Sequence, residues 1–331
     1  MNYDKPFRTY REQFDKLKKE YELNISNEHF SLEALKTVSY YDLVNGYKDE
    51  YLNPLTNKFY NNVSIETLYY THMFDKDIQS ILVKHIAFIE NYFKTTLAYI
   101  ISKSFSVDEN IYLDDKNYSK KTSSRNPIYY STLKEKLTST YTNNDYLTNP
   151  TKYYKNNHNH IPAWILLKNI SFSNSINWYK LLKAPEKLEI NNILIPSSQF
   201  TNGQKSELIL SSLQTIRTFR NISVHNLKFI THKSKTPLPA SLIIKSLSPI
   251  LLTWKDIKKN NCGINDLYSC ILSILLLLKP YFLLTRRFAS DLIIFFYQGN
   301  GTLDPRYTNY SRLTNLPMDL PNRLNKYISY M

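Results

Sequence analysis

Residues 64–102 carry the longest helical pattern in the chain and read SIETLYYTHMFDKDIQSILVKHIAFIENYFKTTLAYIIS. Apolar side chains recur there every three or four positions, as they do on one face of a helix. They are Ile65, Leu68, Met73, Ile78, Ile81, Leu82, Ile86, Ile89, Phe93, Leu97 and Ile100. Ser64 is of a residue type that caps helix N-termini. The pattern therefore predicts one or two long helices that form the scaffold of the core.

Shorter helical patterns flank this segment on both sides. They lie at residues 10–22, 31–45, 162–172, 176–182, 205–226, 267–284 and 290–297. No run with the two-residue period of a β-strand has a comparable length. The sequence therefore predicts an all-α fold.

The segment at residues 267–284 is apolar enough to raise the question of a membrane span. Its centre reads ILSILLLL, but Lys279 and Pro280 interrupt it. A spanning helix needs about 20 apolar residues with few charges. We therefore expect a buried core helix and no membrane partner, with a membrane-associated protein as the alternative.

Two regions depart from the helical pattern. Residues 108–160 are rich in Asn, Tyr, Ser, Thr, Lys and Asp, and we expect an irregular or partly helical insertion with one short helix around Leu133 and Leu137. Residues 299–331 carry basic residues and three prolines, which favours an irregular basic extension. Because no Gly- or Ser-rich linker divides the chain, we expect one helical domain over residues 1–331.

The charge of the chain points to a polyanionic partner. Lys and Arg number 42 against 28 Asp and Glu, which gives a formal charge of +14 at pH 7. Such an excess creates a positive field that attracts nucleic acid. The excess is also explained by solubility or by the residue bias of an A+T-rich genome, so the charge alone leaves these alternatives open.

The two cysteines, Cys262 and Cys270, do not have the pattern of a metal site. They have no second pair and no histidine at metal-ligand spacing, so we expect neither a metal nor a cofactor. The first residues run directly into charged positions without an apolar leader. These features favour a cytoplasmic protein.

Residues 217–226 read RTFRNISVHN and contain the one constellation that suits catalysis. Asn221 and His225 are four residues apart, which places them on one face of a helix, and the long side chain of Arg220 can reach round to join them. Histidine can exchange protons with RNA hydroxyls near neutral pH, while arginine can stabilise a charged phosphoryl transition state. Asparagine can orient the imidazole or bind a phosphate oxygen. A solvated helix face with a surface histidine is the alternative.

This motif is similar to the Arg-Asn-x-x-x-His signature of HEPN ribonucleases, and the surrounding chain resembles the Abi-like family that includes the abortive-infection proteins AbiD and AbiF. The landmarks that carry the resemblance are residues 40–47 (YYDLVNGY), 74–78 (FDKDI), 89–90 (IE), 162–164 (PAW) and 170–172 (ISF). The resemblance covers about residues 10–285, with 108–160 poorly matched. Many relatives have a second histidine at the position that Asn226 occupies here.

The resemblance implies a HEPN-type helical bundle with an inserted polar middle region. It also implies a metal-independent endoribonuclease that leaves 2′,3′-cyclic phosphate ends and acts as a toxin in abortive-infection phage defence, with Arg220, Asn221 and His225 as the catalytic residues. Paired motifs in relatives imply a homodimer through the HEPN face, and a noncoding RNA is implied as an inhibitor or guide. Because HEPN folds include inactive members, a non-catalytic RNA-binding protein is the alternative.

Basic residues outside the catalytic motif are expected to hold RNA through its phosphates. The candidates are Lys120, Lys121, Arg125, Arg217, Lys228, His232, Lys233, Lys235, Arg286 and Arg287. The tyrosines of residues 108–160 are expected either to stack on bases or to pack against the body of the protein.

Overall fold

The computed structural model describes residues 3–331, and helices account for nearly all of the regular structure in that range. The α-helices are α1 (Tyr10–Lys19), α2 (Glu28–Val38), α3 (Ile65–Ser104), α4 (Glu109–Tyr112), α5 (Tyr130–Thr142), α6 (Thr151–Asn157), α7 (Ala163–Leu166), α8 (Phe172–Leu181), α9 (Ala184–Leu194), α10 (Asn202–Val224), α11 (Ala240–Leu247), α12 (Trp254–Lys258), α13 (Leu267–Leu278), α14 (Phe282–Phe296), α15 (Pro305–Thr314) and α16 (Leu320–Ser329). The prediction of an all-α fold is confirmed.

Shorter elements complete the chain between these helices. A π-helical turn covers Tyr41–Asn45, and 3₁₀ turns cover Lys48–Glu50 and Asp115–Asn117. The strands β1 (Leu52–Asn53) and β2 (Lys58–Phe59) form a small antiparallel hairpin in which Leu52 pairs with Phe59.

Helix α3 is the scaffold that the sequence predicts, and it is one continuous helix of 40 residues. The Ser64 hydroxyl accepts a hydrogen bond from the N–H of Thr67, whose own hydroxyl accepts one from the N–H of Ser64. This capping box fixes the first turn. Helices α7, α8, α9, α10, α13, α14 and α15 all pack against α3. Because neighbours surround it, polar residues such as Asp75 and His85 are buried in it beside the apolar ones.

Helix α13 is the core helix that the sequence predicts. Every one of its residues is buried, and it packs between α10, α11, α14 and α3. The helix ends at Leu278, and α14 begins only at Phe282, because Pro280 lacks the N–H that a continuous helix needs. Within residues 3–331 there is no helix with the length and apolarity to cross a membrane.

The polar region at residues 108–160 is tied to the body of the protein. Helix α5 contains Leu133 and Leu137, which confirms the short helix expected there. The rings of Tyr118 and Tyr130 stack at 4.3 Å between their centroids. The Tyr118 hydroxyl donates to the carbonyl of Tyr112 at 2.6 Å. These buried tyrosines pack in the core, so they are not available for stacking on bases.

Residues 299–331 differ from the expected irregular extension, because they contain α15 and α16. Pro305 and Pro321 lie in the first turns of these helices, where the missing N–H of proline has no cost. The apolar core continues into this region through Tyr307 and Tyr310. Arg323 is paired with the buried carboxylate of Asp256 at 2.7 Å. The C-terminal helices therefore belong to the packed body.

Candidate active site

Helix α10 carries the predicted motif and is fixed at its start by a capping box. The Thr201 hydroxyl accepts from the N–H of Gln204, and the Gln204 side chain accepts from the N–H of Thr201 at 3.0 Å. The apolar side of α10 packs on α13. Arg217, Asn221 and His225 follow one another at intervals of four residues on another side, so they form one row along the helix.

The backbone at the C-terminal end of α10 accounts for the asparagine at position 226, directly after His225. The N–H of Leu227 donates to the carbonyl of Ile222 at 3.0 Å, and the N–H of Asn226 donates to the carbonyl of Ser223 at 3.1 Å. This pattern is the Schellman motif, whose first residue beyond the cap has a left-handed backbone. Asn226 has a φ of 56°, a conformation that asparagine tolerates better than most residues.

His225 and Asn221 line an open cleft of about 390 Å³ beside the last turns of α10. One wall is the face of α10, and the other is the segment that follows the helix. The lining residues are Gln214, Arg217, Thr218, Asn221, Ile222, His225, Leu227, His232, Lys233, Lys235 and Thr236. The structure therefore brings four of the predicted RNA-contacting residues, Arg217, His232, Lys233 and Lys235, together with two residues of the motif.

Arg220 is not part of this lining. Adjacent residues on a helix are about 100° apart, whereas residues four apart differ by only about 40°. Arg217 therefore shares the row of Asn221, and Arg220 lies to one side, half-buried. Within residues 3–331 the Arg220 side chain forms no hydrogen bond or ion pair, while the Arg217 Nε donates to the Gln214 Oε1 at 3.0 Å. Within one chain, the arginine that lines the cleft with Asn221 and His225 is Arg217, which lies about two helical turns before His225.

His232 is a second histidine in the cleft and has a different environment from His225. Its ring meets the ring of Phe219 edge-on, with 5.2 Å between the centroids. Its Nε2 is buried and has no hydrogen-bond partner among residues 3–331. Burial lowers the pKa of His232, which favours the neutral imidazole at neutral pH. The His225 side chain is exposed at the end of the helix.

The remaining predicted RNA contacts lie outside the cleft lining. Lys120, Lys121 and Arg125 are exposed in the loop before α5, and Arg286 and Arg287 are exposed on α14. Arg287 is 3.6 Å from the carboxylate of Asp291. Lys228 lies over the ring of Tyr47 at 5.8 Å. These residues are separate basic positions on the surface.

A buried carboxylate behind the cleft, Asp75, was not identified as a site residue from the sequence. Its oxygens accept hydrogen bonds from the N–H of Phe229 at 3.0 Å, the amide of Gln79 at 2.9 Å and the hydroxyl of Tyr47 at 3.3 Å. The hydroxyl of Tyr310 in α15 also donates to it. Burial raises the pKa of Asp75, and the hydrogen bonds from Tyr310 and Phe229 act in the opposite direction. All four neighbours are donors, which suits a carboxylate.

Two neighbours of Asp75 on α3 hold the turn that follows His225. The Lys76 Nζ donates to the carbonyl of Asn226 at 2.9 Å, and the Gln79 Nε2 donates to the carbonyl of Leu227 at 2.8 Å. Cations and hydrogen-bond donors at the C-terminal end of a helix stabilise it, because they bond to free carbonyls and interact favourably with the negative end of the helix dipole. The sequence signal for these residues was the charged FDKDI landmark inside an otherwise apolar helix. The network ties α3 and α15 to the end of α10.

The arrangement offers acid–base and electrostatic chemistry from side chains alone. A histidine, an asparagine and an arginine line a cleft that also contains two lysines. This set can bind a phosphate group and exchange a proton beside it. Among residues 3–331 there is no group of three or more His, Cys, Asp or Glu side chains that could hold a metal ion.

Comparison with known proteins gives one match. The model of the family described as "Abi-like protein" matches residues 33–231, which is more than half of the chain. The matched range includes Asp75 and the motif at the end of α10, whereas Tyr310 lies beyond it. Neither the curated proteins nor the solved structures include a match to this chain. The family match confirms the resemblance carried by the sequence landmarks, and it suggests a part in abortive-infection defence. The chain belongs to the Abi-like protein family.

Proposed function

We propose that this protein is a metal-independent, HEPN-type endoribonuclease that acts as a toxin in abortive-infection phage defence. The observation that carries the proposal is the basic cleft that His225, Asn221 and Arg217 line together. Membership of the Abi-like family supports the defence role. The net charge of +14 supports a polyanionic substrate.

The proposed reaction is an internal transesterification of RNA. His225 accepts the proton of a ribose 2′-hydroxyl, and the resulting oxygen attacks the adjacent phosphorus. A new bond forms between phosphorus and the 2′-oxygen, while the bond to the 5′-oxygen breaks. The leaving oxygen takes up a proton, so the products are a 2′,3′-cyclic phosphate and a 5′-hydroxyl. Arginine stabilises the negative charge that builds up on the phosphoryl oxygens.

We propose that a homodimer completes this site. The step needs a base for the 2′-hydroxyl and an acid for the leaving oxygen, and a second copy of the motif supplies the second group. It also gives a role to Arg220, which lies beside the cleft rather than in its lining. Arg220 is then placed to act across the interface with a second copy. RNA is the substrate, and a structured noncoding RNA is proposed as a restraining partner.

The experiment that tests the nuclease is the substitution His225→Ala, with His29→Ala as the matched control. His29 is exposed on α2, far along the chain from the motif. We expect His225→Ala to abolish RNA cleavage and growth inhibition, while denaturant unfolding stays unchanged because the side chain is exposed. His29→Ala should leave both activities intact. Cleavage that survives in His225→Ala, or a loss that merely follows unfolding, would show that His225 is not catalytic.

A non-catalytic RNA-binding protein is the second candidate, and one observation favours it. The side chain of His225 has no hydrogen bond that orients it within residues 3–331, whereas general bases are commonly held by a partner. A pure binding protein would bind RNA with a strong salt dependence and would leave the RNA intact at every protein concentration. The appearance of cyclic-phosphate ends, detected by mass spectrometry, distinguishes the nuclease from this candidate.

A further inference from the structure

A second groove adjoins the cleft of His225 along α10. This groove has a volume of about 660 Å³. It shares Gln214, Arg217 and Thr236 with the cleft. Its other lining residues are Ser173, Asn177, Lys180, Glu207, Leu210, Ser211 and Pro237. Helix α8 supplies one side of the groove and α10 supplies the other, so the two cavities adjoin each other along α10.

Two like charges face each other in this second groove. Lys180 of α8 and Arg217 of α10 both line it, and within residues 3–331 neither forms an ion pair with a carboxylate. Burial lowers the pKa of Lys180, and the charge of Arg217 lowers it further. Holding two cations together without a carboxylate paired to either has an electrostatic cost. An anion bound between them removes that cost.

The spacing along α10 relates this pair of cations to the cleft. Arg217 is eight residues before His225, which is about 12 Å along a helix that rises 1.5 Å per residue. Successive phosphates of one stacked strand advance by about 3.4 Å along the axis of the strand, and by more when the strand is extended. A phosphate at Arg217 is therefore within about four nucleotides of a bond held at His225.

On these grounds, and resting on the function proposed above, we propose that Lys180 and Arg217 form a phosphate-binding subsite that takes the RNA backbone a few nucleotides from the cleaved bond. Ser173, Asn177 and Ser211 line the same groove and offer hydrogen bonds to sugar hydroxyls. The carboxylate of Glu207 lies in the lining as well. Because it repels phosphate, it marks the end at which the strand leaves the groove.

The test is the dependence of binding on RNA length in the variant Lys180→Gln. Both it and the control Lys155→Gln are made in the full chain with His225→Ala, so that bound RNA stays intact. Lys155 is exposed on α6 and does not line either cavity, so its substitution removes the same charge elsewhere. Affinity is measured by fluorescence anisotropy with a long labelled oligouridylate and by competition with a uridine dinucleotide.

We expect the parent to bind the long oligouridylate more tightly than the dinucleotide. Lys180→Gln should weaken binding of the long RNA several-fold and leave that of the dinucleotide unchanged. The slope of log affinity against log salt should fall by about 0.7, as for one lost phosphate contact on a single strand. Lys155→Gln should change neither affinity. Equal weakening for short and long RNA, or an effect no larger than that of Lys155→Gln, would overturn the subsite.

The outcome for the subsite is separate from the outcome for the nuclease. If Lys180→Gln shows the length-dependent effect but the protein never cleaves RNA, the subsite is supported and the proposed nuclease activity is refuted. If the protein cleaves RNA but its RNA affinity does not depend on Lys180, the nuclease activity is supported and the subsite is refuted.

Discussion

Removing the hydroxyl of Tyr310 tests whether the buried Asp75 network positions the cleft. In the variant Tyr310→Phe, Asp75 loses one of its four donors, while the aromatic ring that packs in the core is kept. A hydrogen bond to a charged group contributes about 1.5–3 kcal/mol to stability, and Tyr310 is 1% exposed, so water cannot replace the lost donor. We expect the free energy of unfolding to fall by about 2 kcal/mol, measured by denaturant titration.

The same variant should also slow RNA cleavage. Asp75 binds the N–H of Phe229, and its neighbours Lys76 and Gln79 bind the carbonyls that follow His225. When the carboxylate shifts toward its remaining donors, this turn moves with it. A displacement of about 1 Å at a reacting group can cost roughly a hundredfold in rate. We expect kcat to fall about tenfold or more, with little change in KM because the basic lining is intact.

Tyr307→Phe is the matched control for Tyr310→Phe. Both tyrosines are buried in α15, but the hydroxyl of Tyr307 donates to the carbonyl of Pro317 at 2.7 Å and has no link to Asp75. Its loss should destabilise the fold by about 0.5–1.5 kcal/mol and leave kcat unchanged. If both variants lower stability and neither changes kcat, Asp75 serves packing alone and the positioning argument is refuted.

Four further outcomes are expected. Arg220→Ala should stop cleavage yet keep most RNA affinity, with a salt slope of about 0.7–0.9 per neutralised phosphate; binding lost with Arg220 alone would contradict this. Cleavage should persist in excess EDTA, because the proposed chemistry uses side chains only; activity restored by magnesium would contradict it. Asn226→Ala should cost about 1–2 kcal/mol of unfolding free energy because its backbone is left-handed, while Asn226→Gly should not. Although burial raises the pKa of Asp256, the hydrogen bonds of Arg323 and Thr253 together hold it below its usual value. The stability from this pair is therefore present above about pH 4 and lost as the pH falls through the folded-state pKa, and thermal melts of Asp256→Asn should lack that acid loss.

Much of the fold could be predicted from local patterns. The apolar period at residues 64–102 continues for about eleven helical turns, so a helix was the regular structure that could bury these apolar side chains. The apolar segment around Leu272 was predicted to be a core helix because Lys279 and Pro280 interrupt it. The motif was correctly placed at the end of a helix, since an uninterrupted helical pattern precedes Asn226. These features depend on residues a few positions apart, and the sequence displays them directly.

The C-terminal region could not be predicted in the same way. Pro305, Pro317 and Pro321 suggested an irregular tail, but the meaning of a proline depends on whether it lies in the first turn of a helix or in its middle. The pairing of Arg323 with Asp256 joins residues 67 positions apart. A basic residue that is neutralised by a distant carboxylate is indistinguishable in the sequence from one that is free to bind RNA.

The sequence by itself determined the helical class, the family and the position of the motif, because each rests on spacing along one helix or on short ordered landmarks. Only the tertiary structure decided which arginine lines the cleft with His225, which basic residues share that cleft, and that Asp75 and Tyr310 lie behind it. The helical period determines which side chains lie in one row. Which row faces the cleft depends on the elements that pack against the other sides of the helix. Helices α13 and α3 and the segment beyond Asn226 pack against α10 and so determine which of its sides faces the cleft. These contacts join residues that are far apart in the chain.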